Sequence, residues 1–419
     1  MLDRKTQPPF NSSTSFHLLE PTVKTLANGL TLQFISGGEQ EVVRVEIIFD
    51  AGRWTEDLWG TSHFSAGLLN KGTTNKSSFE IAQIFDQYGA HVEVTPGLDV
   101  VSVSIYSLTK NIQPVLQLFF EIVTSAIFPE KELRQSKSIF LQNLKVNQEK
   151  TSFVASSIIR KNLFGENHPY GKELEEADVS KLERQNLVNF YTQNFKATHV
   201  FVSGKISEHT RKLLEDTFSQ LPVGKTNQRN HKATEELAQP VYIEKEGSSQ
   251  TSLRLGKKSI MRSHVDYADV LFLNHILGGY FGSRLMKNIR EDKGLSYGIY
   301  SALHALQHDS YIVIGADVNK ENRELATQEI RNEVKRLSAE EVGQHELTTA
   351  RLHFIGSLQS EITTPFAHAD KLKNITLNKL DKNYYQNLIH RINTITAPEL
   401  ILTAQKYYSE ESLCEVAVG

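Results

Sequence analysis

The alternation of apolar and polar positions predicts that strands and helices follow one another along the whole chain. Two apolar runs within residues 24–36 flank an Asn-Gly pair, which is typical of a β-hairpin, and residues 42–49 (VVRVEIIF) form a further strand pattern. Residues 77–88 repeat apolar side chains at helical spacing, so Phe79, Ile81 or Ala82, and Phe85 are expected to face inward.

The second half of the chain repeats the element order of the first half. The pattern at 186–204 returns at 399–419, in each case as a helix with paired aromatic residues and a strand that ends in Gly. Pattern alone therefore predicts an α+β fold of two similar domains, each an antiparallel β-sheet covered by helices. The predicted divisions are an N-terminal arm at 1–22, a first domain at 23–223, a polar linker at 224–239 and a second domain at 240–419.

One short stretch of the first domain carries part of a metal-binding pattern. Residues 60–73 (GTSHFSAGLLNKGT) predict a short capped helix that begins near Gly60 and buries Phe64 and Leu68 on one face. The stretch resembles the M16 (pitrilysin or insulinase-like) metallopeptidases, in the type also found in mitochondrial processing peptidase, where this helix carries the inverted zinc motif H-x-x-E-H. In that motif two His side chains bind zinc, and the Glu acts as general base for the metal-bound water.

The resemblance implies that the residues required for zinc are missing here. His63 corresponds to the first ligand, but Ala66 stands where the family has the general base and Gly67 where it has the second His. The family's third ligand is a Glu 76 positions beyond the second His, and Asn143 occupies that position. Glu149 lies about two helical turns further on and is not expected to replace it. Since one imidazole cannot hold a catalytic zinc ion, we expect no metal cofactor in this chain.

A second stretch resembles another part of the same family. Residues 278–300 (GGYFGSRLMKNIREDKGLSYGIY) are similar to the M16 second-domain segment that ends in an Arg, a Gly-Leu pair and a Tyr. In paired bacterial enzymes of the family, one subunit carries the zinc motif and the zinc-less subunit supplies this Arg and this Tyr. The resemblance implies the same role for Arg290 and Tyr297, as a guanidinium fork and as a phenol donor toward the scissile carbonyl. Residue chemistry alone leaves open that Arg290 belongs to a solvated charge run and Tyr297 to a half-buried strand.

The resemblance extends over essentially the whole chain. It therefore implies the two-domain M16/LuxS-like metallohydrolase architecture, which agrees with the fold that the pattern predicts on its own. The second domain is the part expected to bind substrate, because it carries the Arg and Tyr motif.

The composition and charge give no support to nucleic-acid binding or membrane binding. With 39% apolar residues, 23% charged residues and a net charge of −3, the chain is typical of soluble globular proteins, and no broad basic field favours nucleic acid or a membrane surface. No signal peptide or membrane span is predicted, so a cytoplasmic location is expected. The single cysteine, Cys414, excludes an internal disulfide and is expected to be a buried strand thiol. His168, His304 and His308 are expected to be packing or surface residues.

These observations favour one function and leave an alternative open. The favoured hypothesis is a non-catalytic, substrate-binding subunit of a two-component M16 zinc peptidase that acts on peptides or unfolded polypeptides. The chain would be inactive alone, and its partner would be a separate zinc-bearing M16 subunit with an intact H-x-x-E-H motif. The alternative is a structural or peptide-binding scaffold with no role in hydrolysis. A third hypothesis, an active peptidase with replacement ligands, finds no support in the spacing of the sequence.

Overall fold

The first half of the chain forms a sheet with helices packed around it. The computed structural model describes residues 6, 16–224, 231–233 and 239–419. The strands of the first half are β1 (Thr22–Thr25), β2 (Thr31–Ser36), β3 (Val42–Phe49), β4 (His91–Pro96), β5 (Val101–Leu108) and β6 (Ala197–Gly204). Its helices are α1 (Thr61–Leu68), α2 (Ser78–Gln87), α3 (Ile112–Thr124), α4 (Glu130–Gln148), α5 (Thr151–Phe164), α6 (Glu176–Lys181), α7 (Arg184–Asn194) and α8 (Glu208–Phe218).

The first sheet is mostly antiparallel but contains one parallel pair. Its six strands follow the order β1-β2-β6-β3-β5-β4. Strand β6 returns after a long helical excursion and enters between β2, to which it is parallel, and β3, to which it is antiparallel. The predicted α+β fold is confirmed, and the purely antiparallel sheet is corrected here, because a strand that returns from far along the chain can enter a sheet in either direction.

The second half repeats this architecture with a five-stranded sheet. Its strands are β7 (Val241–Ile243), β8 (Gln250–Lys258), β9 (Ser296–Ala305), β10 (Ser310–Asn319) and β11 (Cys414–Val418), in the order β7-β11-β8-β10-β9. Its helices are α9 (Tyr267–Asn274), α10 (Arg323–Ala339), α11 (Gln344–Ser360), α12 (Pro365–Leu377), α13 (Tyr384–Thr394) and α14 (Ala397–Tyr407), with π-helical segments at His275–Gly279 and Met286–Asp292. Strands β7 and β11 form a parallel pair, so this sheet is also mixed.

Each sheet is covered on one face by a helix from the other half of the chain. Helix α5 of the first half places Ile159 and Phe164 in a buried cluster with Val416 of the second sheet. Helix α12 of the second half places Ala369 against Phe201 of the first sheet. Because both exchanges remove apolar surface from water, the two halves stabilise one another.

A buried arginine on the first sheet binds the incoming helix α12. Arg44 of β3 is 5% exposed and donates to both carboxylate oxygens of Asp370, at 2.9 and 3.3 Å, and to the carbonyl of Phe366 at 3.1 Å. Glu46 is 2% exposed, lies 3.6 Å from the Arg44 guanidinium and accepts a hydrogen bond from Lys373 Nζ at 2.7 Å. Charges removed from water in this way are tolerated only when they are paired.

A second buried arginine occupies the corresponding place on the second sheet. Arg254 of β8 donates from Nε to the hydroxyl of Ser156 in α5 at 3.0 Å. Ser252 on the same strand contacts the hydroxyl of Thr151 in α5 at 2.9 Å and donates to Asp317 at 2.6 Å. The duplication therefore extends to the polar contacts that hold each exchanged helix.

The two halves also meet around Trp54. The Trp54 ring stacks on His308 of the β9–β10 turn at 4.1 Å, and the rings of His168 and His231 lie 5.3 and 4.9 Å away. Burial lowers the pKa of His168 to about 4, and the neighbouring His231 adds to this effect. His168 and His308 pack against the Trp54 ring here, and His304 packs face to face on a tyrosine ring.

The prediction that Phe79 faces the core is wrong. Phe79 is 75% exposed, whereas Ile81 and Phe85 of the same helix are buried. Ile81 and Phe85 are four residues apart and share the inward face, while Phe79 is two residues from Ile81 and projects to the opposite side of α2. Cys414 is buried in β11, as the sequence predicts.

Parts of the predicted arm and linker lie outside the described residues. These are 1–5 and 7–15 of the arm and 225–230 and 234–238 of the linker, so the domain divisions stay predictions. Of the described parts, Phe16 packs against Tyr385 in the second core, and His231 contacts the carbonyl of Trp54 at 2.9 Å. No helix in the described ranges is long and apolar enough to cross a membrane.

Replacing Arg44 with Met should lower the free energy of unfolding by about 3 to 5 kcal/mol, because it leaves the buried Glu46 with a single cationic partner. Urea titration followed by circular dichroism measures this change. The matched control is Lys205→Met, which removes the exposed Lys205–Glu41 ion pair and should cost less than about 1 kcal/mol. Equal effects of the two substitutions would contradict the role assigned to Arg44.

Replacing His168 with Asn should flatten the dependence of the unfolding free energy on pH. The folded pKa of about 4 lies below the ordinary value of 6.5, so the unfolded chain binds this proton more tightly and stability falls as pH decreases from 6.5 to 4. Asn keeps an oxygen for the Tyr170 N–H that His168 Nδ1 now accepts at 3.1 Å, but it does not titrate. Urea titrations across this pH range should show the wild-type slope in the control His209→Asn, whose side chain is exposed. An unchanged slope in the His168 variant would refute the assignment.

Candidate functional site

His63 lies in the first turn of α1, half-buried among aromatic side chains. Its ring is 5.1 Å from that of Phe64 and 5.3 Å from that of Phe140 in α4. Burial lowers the pKa of His63, and the positive charge of Arg53 lowers it further. His63 is therefore an imidazole packed against two phenyl rings, on a helix that forms where the sequence predicts it.

The N-terminus of α1 is held by a carboxylate that the sequence analysis missed. Glu56 is 4% exposed, and its two oxygens accept the backbone N–H groups of Gly60 at 3.1 Å and Ser62 at 2.7 Å. Burial raises the pKa of Glu56 to about 7, against the opposing effects of Arg53 and these backbone donors. The available signal was an acidic residue shortly before a helix start, where negative charge is favourable. Both oxygens of this carboxylate therefore bind the N-terminus of α1.

The other positions of the motif supply no metal-binding side chains. Ala66 is fully buried in the core of the first half, and Gly67 faces open space, since a Cβ there would meet no atom within 4 Å. Asn143 lies on the exposed surface of α4. Glu149 forms an ion pair with Lys245 at 2.9 Å.

These residues do not fit a zinc ion. A catalytic zinc site requires three protein ligands, and the motif offers one imidazole, that of His63, and the neutral amide of Asn143. Across residues 16–224, 231–233 and 239–419, no group of three or more His, Cys, Asp or Glu side chains is placed to hold a metal ion. No chemical step through a metal is therefore assigned to this chain.

Arg290 and Tyr297 lie together on the surface of the second half, with Phe281 beside them. The Arg290 guanidinium carbon is 4.7 Å from the centroid of the Tyr297 ring and 5.1 Å from that of Phe281. Tyr297 is 88% exposed and Phe281 is 60% exposed, so Tyr297 is not the half-buried strand residue that residue chemistry left open. Glu291 and Asp292 follow Arg290 directly, yet within the described part of the chain the guanidinium forms no ion pair or hydrogen bond. Aromatic rings hold this cation in place of a carboxylate.

The backbone that carries these residues is fixed by the core beneath it. The π-helical segment Met286–Asp292 buries Ile289, whose carbonyl accepts the N–H of Leu295 at 2.8 Å and closes the segment. Ser296 donates from its hydroxyl to the carbonyl of Asp317 at 2.7 Å, which ties the start of β9 to β10. Strand β9 is the edge of its sheet, so Tyr297 stands at that edge. Irregular helical turns of this kind are frequent at functional sites.

The predicted site residues form two separate groups. His63 packs beside aromatic residues of the first half, and Arg290 and Tyr297 lie at the surface of the second half. No contact joins the groups among the residues that the structure describes. Sequence reasoning missed Phe281, although it lies inside the matching segment. The signal was an aromatic residue in a Gly-flanked turn, G-G-Y-F-G.

Sequence profiles of one known family match both halves. The profile described as insulinase (peptidase family M16) matches residues 35–178. The profile described as peptidase M16 inactive domain matches residues 181–353. Between them, the two matches include the degenerate motif and the segment with Arg290 and Tyr297.

Individual relatives extend over most of the chain. It is 24% identical over 389 residues to a Bacillus subtilis protein named uncharacterized zinc protease YmxG, covering 91% of this chain and 89% of that protein. It is 22% identical over 349 residues to the Helicobacter pylori protein named non-peptidase homolog YmxG, covering 81% and 80%.

Solved structures share the whole architecture. A peptidase M16 inactive domain from Pseudomonas fluorescens superposes with a TM-score of 0.88 at 25% identity, covering 96% of this chain and 98% of the other. A protease from Helicobacter pylori has the same fold, with a TM-score of 0.86 at 18% identity and coverage of 96% and 100%. On the agreement of fold, motif positions and both family profiles, this chain belongs to the M16 peptidase family.

Proposed function

We propose that this chain is the zinc-less, substrate-binding subunit of a two-component M16 peptidase. The observation that carries the proposal is the contrast between its two motif segments. The zinc motif retains only His63, whereas Arg290 and Tyr297 are held at the surface with no acidic partner in the described structure. A chain that keeps the substrate-binding groups and has lost the metal ligands requires its metal from another subunit.

The names of two similar proteins support this proposal. The Helicobacter pylori relative is named a non-peptidase homolog, and the Pseudomonas fluorescens structure is described as an inactive domain. Both descriptions concern those proteins, and both are compatible with a chain that does not hydrolyse peptides alone.

In the proposed complex each residue of this chain has a defined task. The Arg290 guanidinium donates hydrogen bonds to a carbonyl or carboxylate of the peptide. The Tyr297 phenol donates to the scissile carbonyl as its oxygen gains charge. Zinc in the partner's intact H-x-x-E-H motif would supply the activated water. An extended peptide would add to the free edge of a sheet, a mode in which backbone contacts dominate and many sequences are accepted.

Wild-type chain purified alone should hold no stoichiometric zinc, whereas a Gly67→His/Asn143→Glu double variant should bind one zinc ion per chain. With His63, the variant offers three ligands, and a side chain at 67 projects into open space. Zinc content after incubation and desalting measures the difference. Adding His63→Asn to the double variant is the matched control and should abolish binding. One tightly held zinc ion in the wild-type chain would overturn the interpretation of the motif.

Arg290→Gln and Tyr297→Phe should each reduce peptide turnover by the reconstituted pair while leaving assembly intact. Loss of one preorganised donor toward a developing oxyanion costs about 10² to 10³ in rate, which sets the expectation for Tyr297. The matched control is Arg323→Gln, because Arg323 stands 4.6 Å from the Tyr242 ring in a similar exposed pair elsewhere in the second half. Size-exclusion chromatography measures assembly. Unchanged turnover in both variants would favour the scaffold alternative.

A further inference from the structure

Phe281 has no evident role in the core, yet it is held in a defined position. It lies 60% exposed in the turn between the two π-helical segments. On one side of it, the Tyr280 ring stacks on the His275 ring at 4.7 Å, and the Tyr280 carbonyl accepts the backbone N–H of Ser283 at 3.1 Å. On the other side, a Cβ at Gly282 would lie 2.8 Å from the Tyr280 ring, so the turn is closely packed. The backbone that carries the exposed phenyl ring is therefore closely packed.

The ring of Phe281 and the ring of Tyr297 both contact the same cation. Their centroids lie 5.1 and 4.7 Å from the guanidinium carbon of Arg290. Contacts to ring faces restrict a guanidinium without using its N–H donors, which lie in its own plane. The two ring contacts therefore leave the N–H donors of Arg290 available to a ligand.

The uncompensated charge identifies the chemistry of the ligand. Within the described residues no carboxylate pairs with Arg290, so its positive charge is left for a ligand. A carboxylate binds a guanidinium through two parallel charge-assisted hydrogen bonds, which match the planar fork and neutralise its charge, whereas a carbonyl offers a single neutral oxygen. A peptide carboxylate, from a C-terminus or from an acidic side chain, is the group that satisfies both the charge and the planar geometry.

We propose that Phe281 is a positioning residue that fixes the Arg290 guanidinium for in-plane binding of a peptide carboxylate. The inference rests on the proposed function, since it concerns the same substrate, but it requires only this chain. Phe281 acts through Arg290, and its contribution is the orientation of the cation.

Binding of labelled peptides to the isolated full-length chain tests the proposal by fluorescence polarisation. Three peptides of one flexible sequence are compared: a free acid, its C-terminal amide, and the amide with one internal Glu. We expect the amide without Glu to bind most weakly, and the preference for the other two over it reports the carboxylate. The stronger of these two binders identifies the source of the carboxylate.

Substitutions at Phe281 then distinguish the effect of its aromatic ring on the orientation of Arg290 from the effect of its size. Phe281→Ala and Phe281→Leu should both reduce the preference for a carboxylate by about two- to tenfold, as expected for an exposed cation–π contact, while Phe281→Tyr should retain it. Tyr242→Ala, which removes a ring from the Arg323 cation elsewhere in the same half, is the control and should change nothing. Circular dichroism establishes that each variant is folded.

Three outcomes overturn the inference. In the first, the wild-type chain shows no preference for a carboxylate. In the second, Phe281→Leu retains the full preference. In the third, Phe281→Ala loses assembly with the partner while peptide binding is unchanged, which would make Phe281 a subunit contact. Failure of the proposed function is distinguishable, because it shows in turnover of the reconstituted pair and leaves peptide binding by this chain alone unaffected.

Discussion

The exchange of helices between the two halves is the constraint on which the rest of the structure depends. Each sheet presents an apolar face that its own half does not cover. A helix from the other half covers this face, and a buried arginine of the sheet contacts that helix. Arg44 binds Asp370 of α12, and Arg254 binds Ser156 of α5. Releasing either helix would expose the apolar surface beneath it to water, and releasing α12 would also break the ion pair between Arg44 and Asp370. The second half, which carries Arg290, therefore takes part of its core from the first half.

The two segments that resemble the family's motifs are stabilised by different contacts. The helix of the degenerate motif survives because its stability comes from packing of Phe64 and from the Glu56 carboxylate at its N-terminus, and none of these contacts involves a metal. In the second half, two exposed aromatic rings contact the Arg290 guanidinium, which has no acidic partner among the described residues. Such an arrangement contributes nothing evident to folding, and it is the one that the proposed function uses.

Local pattern predicted the elements well, and its failures have identifiable causes. The strand at 42–49 and the short helix within 60–73 follow from the period of apolar side chains, which acts over a few residues. The parallel neighbours of β6 and β11 and the exchange of α5 and α12 depend on contacts between residues more than a hundred positions apart, which no local pattern encodes. Phe79 was misplaced because helical period alone does not decide which of two nearby apolar residues faces the core. Phe281 was missed because its partner is a cation rather than the core.

The central claim is that this chain lacks zinc chemistry of its own and completes the site of another subunit. Its most direct test is the rate of hydrolysis of a quenched peptide by a zinc-bearing M16 chain of the same organism, measured as this chain is added in increasing amounts. The account predicts negligible hydrolysis by this chain alone and a rate that rises until the two chains are equimolar. Chelator-sensitive hydrolysis by this chain alone, or a rate that does not respond to its addition, would contradict it.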